Sequence, residues 1–331
     1  MILGITMGDS SGVGPEILLK AASRGELTHP FVVYGDLAVL KRANRELGYG
    51  LRLASVTSLQ NLEPGCVNII DHGLLSEADI RPAQLSQASG RAAREYVISA
   101  TKACLRGEIA AMVTLPMNKE ATQLSDPSFT GHTELIGQLC NAADVTIMLA
   151  SEELVVTHVS THVSLREAIE RVKKARLLRI IELTCEAVAR LQDRPRVAVA
   201  GLNPHAGENG LFGREEMEEI APAVQEARAR GLPVEGPFPP DTVFYLAVRR
   251  KKFDAVVCMY HDQGHIPSKL LDFEGGVNVT LGLPIIRTSV DHGTAFDIAW
   301  QGKASTASLV SAFRFAVRLS QGRSQPVGCG P

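Results

Sequence analysis

Short apolar runs rich in β-branched residues alternate with helical patterns along almost the whole chain. Residues 2–6, 110–114 and 255–259 are runs of this type, and residues 14–24 and 89–106 have helical periodicity. Strands that alternate with helices usually pair in parallel, because each helix carries the chain back to the start of the next strand. The alternation therefore predicts an α/β protein with a largely parallel sheet.

The length of the chain, 331 residues, is sufficient for two domains. Asp126 and Pro127 are a turn-forming pair that suits a hinge between them. We expect the last strands and the C-terminal helix to return to the first domain. The predicted division is a discontinuous first domain, residues 1–127 plus 290–331, and a second domain, residues 128–289, that carries most metal and substrate residues.

The charge balance excludes two classes of partner. With a net charge of −2, the chain has no basic stripe for nucleic acid and no polybasic patch for membranes. It has no apolar run of 18 residues that would form a transmembrane helix, and no signal-peptide pattern. Its six cysteines form no C-x-x-C pair, and Cys329 lies in a Gly/Pro-rich tail. We expect a cytoplasmic protein.

Four segments bring histidines to points where a strand or loop gives way to a helix: residues 130–134, 161–162, 203–207 and 260–265. In a parallel sheet such turns gather at one edge, which is the usual ligand crevice. Imidazole has a pKa of about 6.5, so near pH 7 it can bind a metal without first losing a proton. Three or four imidazoles converging there predict a divalent-metal site.

Each of these segments also has an ordinary explanation. Residues 130–134 open a predicted helix with Thr130 as its N-cap, so that His132 and Thr133 could bind a phosphate or carboxylate, but an ordinary capped helix has the same pattern. His158 and His162 flank a strand end, where a lone histidine is more often packed or solvated.

Two polar loops favour a function more strongly. Residues 203–210 and 260–265 each follow an apolar strand, and polar groups in that place are unfavourable unless they bind something. Lys269, Asn278 and Arg287 lie downstream, and solvation is the common explanation for such residues. Arg287, however, lies in an apolar run, where a cation needs an anionic partner.

Two glycine-containing loops, residues 8–16 and 290–299, lie between a strand and a helix. Neither contains the G-x-G-x-x-G or the G-x-x-x-x-G-K-[ST] pattern. A plain tight turn explains each local pattern as well as a nucleotide-binding loop does.

Taken in order over nearly the whole chain, the segments 8–16, 130–134, 203–208, 260–264 and 277–299 resemble the 4-hydroxythreonine-4-phosphate dehydrogenase family. The resemblance implies a two-domain fold like that of isocitrate and isopropylmalate dehydrogenases. That fold has three α/β/α layers and an active-site cleft between the domains. The resemblance also implies a homodimer with the active site at the subunit interface.

The same resemblance implies roles for individual residues. It implies NAD, with NADP as the alternative, and one divalent metal per site, Zn, Co, Mn or Mg. The implied metal ligands are His162, His205 and His261. The implied substrate-binding residues are His132, Thr133, Lys269, Asn278 and Arg287. The implied cofactor-binding residues are Gly12, Gly14, Asp291, His292, Gly293, Thr294 and Asp297.

Residues 264–267 and 294–298 resemble the branch of the family that contains D-threonate and D-erythronate 4-phosphate dehydrogenases. The vitamin B6 enzymes usually carry a leucine where His265 stands. Two departures from the family pattern concern the cofactor: Ser10-Ser11 replaces the usual Pro-Ala, and Trp300-Gln301 replaces the usual Gly-Lys.

We therefore expect NAD- and metal-dependent oxidation and decarboxylation of a 4-phosphorylated four-carbon 3-hydroxy acid. The expected substrate is 4-phospho-D-threonate or 4-phospho-D-erythronate, and the product is dihydroxyacetone phosphate. Lys269, Asp262 and Asp241 are the candidates for the general base. Asp241 could alternatively orient a metal-bound histidine.

Three other functions remain open at this point. The first is 4-hydroxythreonine-4-phosphate oxidation in vitamin B6 synthesis, which gives 3-amino-2-oxopropyl phosphate. The second is oxidation of an aromatic cis-dihydrodiol dicarboxylate. The third is non-redox, metal-dependent hydrolysis or aldol cleavage, against which the absence of an H-E-x-x-H motif counts.

Overall fold

The computed structural model describes residues 1–322, which divide into two compact units. Unit 1 comprises Met1–Ala143 and Leu283–Ser320, and unit 2 comprises Asp144–Gly282, grouped with Gln321 and Gly322. Cys329 and the rest of the Gly/Pro-rich tail lie outside the described residues.

The division is discontinuous, and the chain passes between the units after Ala143 and after Gly282. Residues 128–143 and 283–289 belong to unit 1, so His132, Thr133 and Arg287 lie there and not in the second unit. The proposed hinge is part of unit 1, because Asp126 accepts a hydrogen bond from Arg94 at 2.9 Å.

The strands of the described chain alternate with helices, as predicted. They are β1 (Leu3–Thr6), β2 (Phe31–Gly35), β3 (Leu53–Ser55), β4 (Val67–Asp71), β5 (Ala111–Thr114), β6 (Thr146–Ala150), β7 (Val155–His158), β8 (Val197–Ala200), β9 (Val234–Phe238), β10 (Ala255–Cys258), β11 (Val277–Leu281) and β12 (Arg287–Val290).

The α-helices are α1 (Gly14–Ser23), α2 (Leu37–Glu46), α3 (Gln87–Leu105), α4 (Lys119–Gln123), α5 (His132–Leu139), α6 (Leu165–Glu170), α7 (Lys174–Ala189), α8 (Ala221–Ala229), α9 (Pro240–Val248), α10 (His261–Leu271) and α11 (Ala307–Gln321). Short 3₁₀ turns cover Leu59–Asn61, Glu77–Asp79 and Pro204–Gly210, and one π turn covers Glu216–Ile220. Between residues 1 and 322, no helix combines the length and the apolar composition that a bilayer crossing requires.

The strands of unit 1 follow the order β3-β4-β2-β1-β5-β12, and all neighbours are parallel. In register, Leu3 lies between Phe31 and Ala111, and Arg287 lies beside Met112. Strand β1 is buried along its whole length, as expected for a parallel strand with helices on both faces.

The strands of unit 2 follow the order β11-β6-β7-β10-β8-β9. Strand β6 pairs antiparallel with both β11 and β7, while β7, β10, β8 and β9 run parallel. Apolar clusters on the two faces of this sheet form its core; one contains Ile181 and Val257, and the other contains Val243 and Val256. The predicted α/β fold with mostly parallel strands is confirmed.

Some elements differ from the sequence expectation. Residues 165–192 have a helical pattern in the sequence that predicts one helix, but they form two, α6 and α7, because residues 171–173 leave the helical path between them. Elements α2, β3, α4 and β9 were not predicted; β3 and α4 are only three and five residues long.

Candidate active site

Three of the predicted metal ligands follow the ends of three adjacent parallel strands of unit 2. His162 follows β7, His261 follows β10 and His205 follows β8, and these strands are neighbours in the order β7-β10-β8. Parallel strands end at the same edge of a sheet, so this topology directs the three segments to one edge.

Four imidazoles cluster at this edge. The rings of His162 and His261 have their centres 5.6 Å apart, and His265 stacks on His261 at 3.7 Å with an angle of 9° between the ring planes. His158, which sequence analysis set aside, is fully buried at the end of β7, and its Nε2 lies 3.2 Å from Nδ1 of His265. Its signal in the sequence was its place inside an apolar strand.

Burial is the main cause of the lowered pKa of His158, which falls to about 3, and the neighbouring His265 contributes next. The His158 ring is therefore neutral at physiological pH and acts through hydrogen bonds.

The orientation of His261 suits a metal ligand. Its Nδ1 lies 2.7 Å from the Asp262 carboxylate. A carboxylate accepts hydrogen bonds, so the proton is on Nδ1 and Nε2 carries the lone pair for a metal. Two imidazoles with Zn–N distances of about 2.0–2.1 Å hold their ring centres roughly 5 Å apart, so the spacing of His162 and His261 also fits one shared metal.

The third predicted ligand, His205, lies apart from these contacts. It is exposed, and it starts a turn in which residues 205–209 all have positive φ, from 43° to 79°. Within residues 1–322, no group of three or more His, Cys, Asp or Glu side chains already stands in a metal-binding arrangement. The three-histidine site stays a prediction.

Two buried side chains that sequence analysis missed hold this edge together. The Glu216 carboxylate accepts hydrogen bonds from the backbone amides of Leu202 and Asn203, both at 2.7 Å. Gln263 accepts from the amide of Met259 at 2.6 Å and donates to the carbonyl of Gly201 at 2.7 Å. They fix the loops after β8 and β10, and the polarity of Gln263 shortly after the apolar strand β10 was the available signal for that residue.

The other predicted residues of unit 2 are distributed around this edge. Asn278 lies on β11, and its Oδ1 is buried without a hydrogen-bond partner among the described residues. Lys269 lies on α10, with its Nζ 5.2 Å from the Phe273 ring centre. Asp241 is exposed in the first turn of α9, where its only neighbouring donor within residues 1–322 is Thr242, at 3.4 Å.

Unit 1 contains a separate cationic pocket. Arg287 is only 3% exposed, and its Nε and Nη2 donate to the Thr114 hydroxyl at 3.1 and 2.8 Å. Burial lowers the pKa of Arg287 to about 10, against the opposing effect of Glu134, so it stays charged at neutral pH.

His132 lies close to this charge. Burial of the ring, followed by the charges of Arg287 and Lys119, lowers its pKa to about 3, and a hydrogen bond with the Leu115 backbone opposes the shift. The Nε2 atom is buried and has no hydrogen-bond partner among the described residues. The buried cation gives this part of unit 1 the local chemistry of an anion site, while the neutral His132 ring, which bonds to the Leu115 backbone, presents Nε2 as an acceptor.

The helix beside this pocket begins differently from the prediction. The N-cap of α5 is Gly131, not Thr130, and no side chain caps the helix. The prediction of a threonine cap was wrong because the chain is extended at Gly131, with φ 165°, and leaves Thr130 exposed. The first amides of α5, including those of His132 and Thr133, therefore have no side-chain acceptor.

The two predicted cofactor loops contact each other within unit 1. The amide of Val13 donates to the carbonyl of Thr294 at 3.0 Å, and a Cβ at Gly12 would lie 2.8 Å from that oxygen. A Cβ at Gly14 would lie 2.3 Å from the carbonyl of Met7. Both glycines are explained by close packing of the backbone, while Gly293 has open space around it.

The remaining cofactor candidates lie on the loop after β12. His292, Gly293 and Asp297 are exposed, and the amide of Asp291 donates to the Ser308 hydroxyl at 3.1 Å. An accessible loop packed against the glycine loop after β1 can receive a dinucleotide, so these residues fit one.

The two departures from the family pattern are connected. The indole of Trp300 donates to the carbonyl of Ser10 at 3.0 Å, and Arg42 lies over the indole ring at 5.7 Å. The Ser10 hydroxyl in turn contacts Ser89 at 2.8 Å. Asp9, which sequence analysis did not select, is buried beside Ser89, and burial raises its pKa.

The family described as pyridoxal phosphate biosynthetic protein PdxA matches residues 26–316 of this chain. The chain belongs to the PdxA family. The resemblance drawn from the motifs is thereby confirmed.

Relatives of known name extend the comparison. D-threonate 4-phosphate dehydrogenase from Salmonella typhimurium is 45% identical over 323 residues, which cover 96% of this chain and 98% of the relative. The crystal structure of 4-hydroxythreonine-4-phosphate dehydrogenase from Klebsiella pneumoniae is 43% identical, covers 97% of this chain and 99% of its own, and superposes with a TM-score of 0.89.

A less similar solved structure is that of terephthalate 1,2-cis-dihydrodiol dehydrogenase from Burkholderia xenovorans LB400. It is 30% identical, covers 96% of this chain and 98% of its own, and has a TM-score of 0.71. All three proteins are named dehydrogenases, and the predicted enzyme class, an oxidoreductase acting on CH–OH, is confirmed. Hydride transfer from such a group implies a nicotinamide cofactor.

Proposed function

We propose that the chain is an NAD- and metal-dependent dehydrogenase of 4-phospho-D-threonate or 4-phospho-D-erythronate, which it converts to dihydroxyacetone phosphate and CO₂. The substrate class comes from the relative that is 45% identical over 96% of this chain. The structural observation that carries the proposal is the buried cation Arg287 of unit 1. The neutral His132 ring offers Nε2 as an acceptor for a substrate hydroxyl. A phosphorylated acid carries the kind of anion that a buried guanidinium binds well.

Oxidation removes the hydride and the hydroxyl proton at C3 and leaves a 3-keto acid. The C1–C2 bond then breaks, its electron pair enters the C3 carbonyl, and CO₂ leaves. Protonation at C2 gives dihydroxyacetone phosphate. When bound, the nicotinamide accepts the hydride, and a divalent metal stabilises negative charge on the C3 oxygen.

We assign the metal to His162, His261 and His205. The ring spacing and the Nδ1 proton of His261 support the first two, and the adjacency of β8 and β10 supports the third. Asn278, with its buried Oδ1 lacking a partner, supplies an acceptor for a substrate hydroxyl.

Lys269 is our choice for the general base. Asp262 already accepts a hydrogen bond from His261, and Asp241 is exposed on α9. Both are therefore less suited to take a proton from the substrate. Positions 261, 265 and 269 follow one another at four-residue steps along α10, which places Lys269 on the same side of the helix as the histidine cluster. In this role Lys269 would receive the C3 hydroxyl proton.

The direct test follows NADH formation with the purified enzyme and three substrates: 4-phospho-D-threonate, 4-phospho-D-erythronate and 4-phosphohydroxy-L-threonine. We expect chelator-sensitive turnover of one of the two sugar-acid phosphates, with NAD preferred over NADP. The dephosphorylated acid is the matched control, because it differs from the substrate only in lacking the phosphate group. Equal turnover of the phosphorylated and dephosphorylated acids would overturn the assignment.

A second candidate is oxidation of 4-phosphohydroxy-L-threonine to 3-amino-2-oxopropyl phosphate. It is favoured by the 43% identity with the Klebsiella enzyme, whose name specifies that substrate. Turnover of the amino substrate alone would establish it. The dihydrodiol relative, at 30% identity, is a weaker guide, and the dephosphorylated control also separates that reaction.

We further propose a cytoplasmic homodimer. Ile266, Leu270 and Phe273 on and just after α10 are 63%, 85% and 74% exposed, and large apolar residues of this kind are usual in subunit interfaces. Light scattering is expected to give twice the monomer mass, and Leu270→Asp is expected to shift it towards the monomer.

A further inference from the structure

We propose that His265 is a positioning residue that holds the His261 imidazole in its metal-binding orientation, and that the buried His158 fixes His265. The inference rests on the proposed metal site and deepens it. The observation that carries it is the three-ring contact in which His265 stacks on His261 while bonding to His158.

Two groups constrain His261. The Asp262 carboxylate, at 2.7 Å from Nδ1, fixes the ring edge. The parallel His265 ring, at 3.7 Å, covers one ring face. Asp262 is a surface residue, with its side chain 67% exposed, so its contact competes with water. The stack is therefore the firmer constraint on the plane of the His261 ring.

The proton positions follow from the partners of His265. Its Nδ1 lies 3.1 Å from the carbonyl oxygen of His261 and 3.2 Å from Nε2 of His158. A carbonyl oxygen only accepts, so Nδ1 of His265 carries the proton, and Nε2 of His158 must then be an acceptor. This leaves the His158 proton on Nδ1, which faces the carbonyl of Ile147 at 3.5 Å. One assignment satisfies all three contacts.

His158 is a rigid support for this arrangement. It is fully buried on β7, between neighbouring strands β6 and β10. Helix α10 packs closely against His158, so that a Cβ at Gly264 would lie 2.5 Å from Nε2 of His158. This explains why glycine precedes His265, since any side chain there would displace the ring from its partner.

The test combines metal binding with a readout on metal-free protein. His265→Leu removes the stack and the hydrogen bond, His265→Phe keeps an aromatic ring on His261, and His29→Leu in unit 1 is the matched control. Loss of a group that orients a metal ligand typically weakens affinity about 10–100-fold. We expect this loss of Zn²⁺ affinity for His265→Leu, a smaller loss for His265→Phe and no change for His29→Leu.

Long-range ¹H–¹⁵N spectra of the metal-free parent are expected to show Nδ1 protonation of His158, His261 and His265, and a shifted His261 ring signal in His265→Leu. Unchanged Zn²⁺ affinity, or an unchanged His261 signal, would overturn the proposal, even if the variant unfolds at a lower temperature. A parent that binds no Zn²⁺ but shows the expected ring signals would instead overturn the metal site of the proposed function.

Discussion

His132 of unit 1 and two of the predicted metal ligands of unit 2 lie in opposite environments. In unit 1, His132 has a buried Nε2 beside the buried cation Arg287, which is already hydrogen-bonded to Thr114. In unit 2, His162 and His205 are exposed, and only part of the predicted metal site has been brought together. A buried charge must find its protein partners during folding, since it would otherwise be strongly unfavourable. Ligands on exposed loops can instead be ordered by the metal itself, whose binding free energy opposes the loss of loop freedom.

From this difference we expect a substitution at Arg287 in unit 1 to weaken substrate binding. A substitution at a predicted metal ligand in unit 2 should instead lower kcat. His261→Ala is expected to have the largest effect, a fall of roughly 10²–10⁴-fold in kcat, because stabilisation of the C3 oxyanion contributes several kcal/mol. Steady-state NADH formation and zinc content by atomic absorption measure the change. His29→Ala is the control, and stoichiometric zinc with unchanged kcat in His261→Ala would remove this residue from the site.

Arg287→Met is expected to have the next largest effect. A hydrogen bond to a charged group contributes roughly 1.5–3 kcal/mol, which corresponds to roughly 10- to 100-fold in kcat/KM for the phosphorylated substrate. Most of this loss should appear in KM, with the zinc content unchanged. Thr114→Val tests whether the hydroxyl that holds the guanidinium matters, and we expect a smaller loss. Equal KM values for Arg287→Met and the parent would show that the pocket in unit 1 does not bind the substrate anion.

The sequence was sufficient to predict what depends on local pattern. Strand and helix alternation predicted the α/β fold, and the polar loop of residues 260–265 predicted the strand end where the imidazoles cluster. Local pattern could not predict that Arg287 lies beside Met112, because this register joins residues that are far apart in sequence.

The roles of His158 and Gly12 were also beyond local pattern. The sequence around a histidine in an apolar strand does not show whether its ring is buried alone or contacts a neighbouring helix. In the structure, His158 contacts His265 on α10. A glycine that permits ligand approach cannot be distinguished from one that permits backbone packing until the neighbouring loop, here at Thr294, is placed.

The pH dependence of stability sharpens the comparison of His132 with His158. The folded-state pKa of His132, about 3, lies below the unfolded value of about 6.5. Only the unfolded chain binds a proton between these values, so the stabilising contribution is complete above pH 6.5 and is lost as the pH falls towards 3. His132→Gln should reduce the slope of unfolding free energy against pH, and His158, with a similar pKa, should contribute to the slope that remains. Urea unfolding from neutral pH to about pH 4 measures both, and an unchanged slope in His132→Gln would place its ring in water.

The smallest effect is expected from two glycines in the cofactor loops of unit 1. An alanine methyl at Gly12 would lie 2.8 Å from the Thr294 carbonyl oxygen and 2.9 Å from its Cβ, so one loop must move. Overpacking of this kind lowers the free energy of unfolding by typically 1–3 kcal/mol. Gly293→Ala is the matched control, because no atom lies within 4 Å of the added methyl and its change should stay within about 0.5 kcal/mol. Urea unfolding gives both values, and the KM for NAD should rise in Gly12→Ala if the packed pair of loops is what holds the cofactor. Equal free energies of unfolding for the two variants would mean that the loops at Gly12 and Thr294 are loosely packed. These loops of unit 1 would then be ordered by the bound cofactor, as the exposed loops of unit 2 are expected to be ordered by the metal.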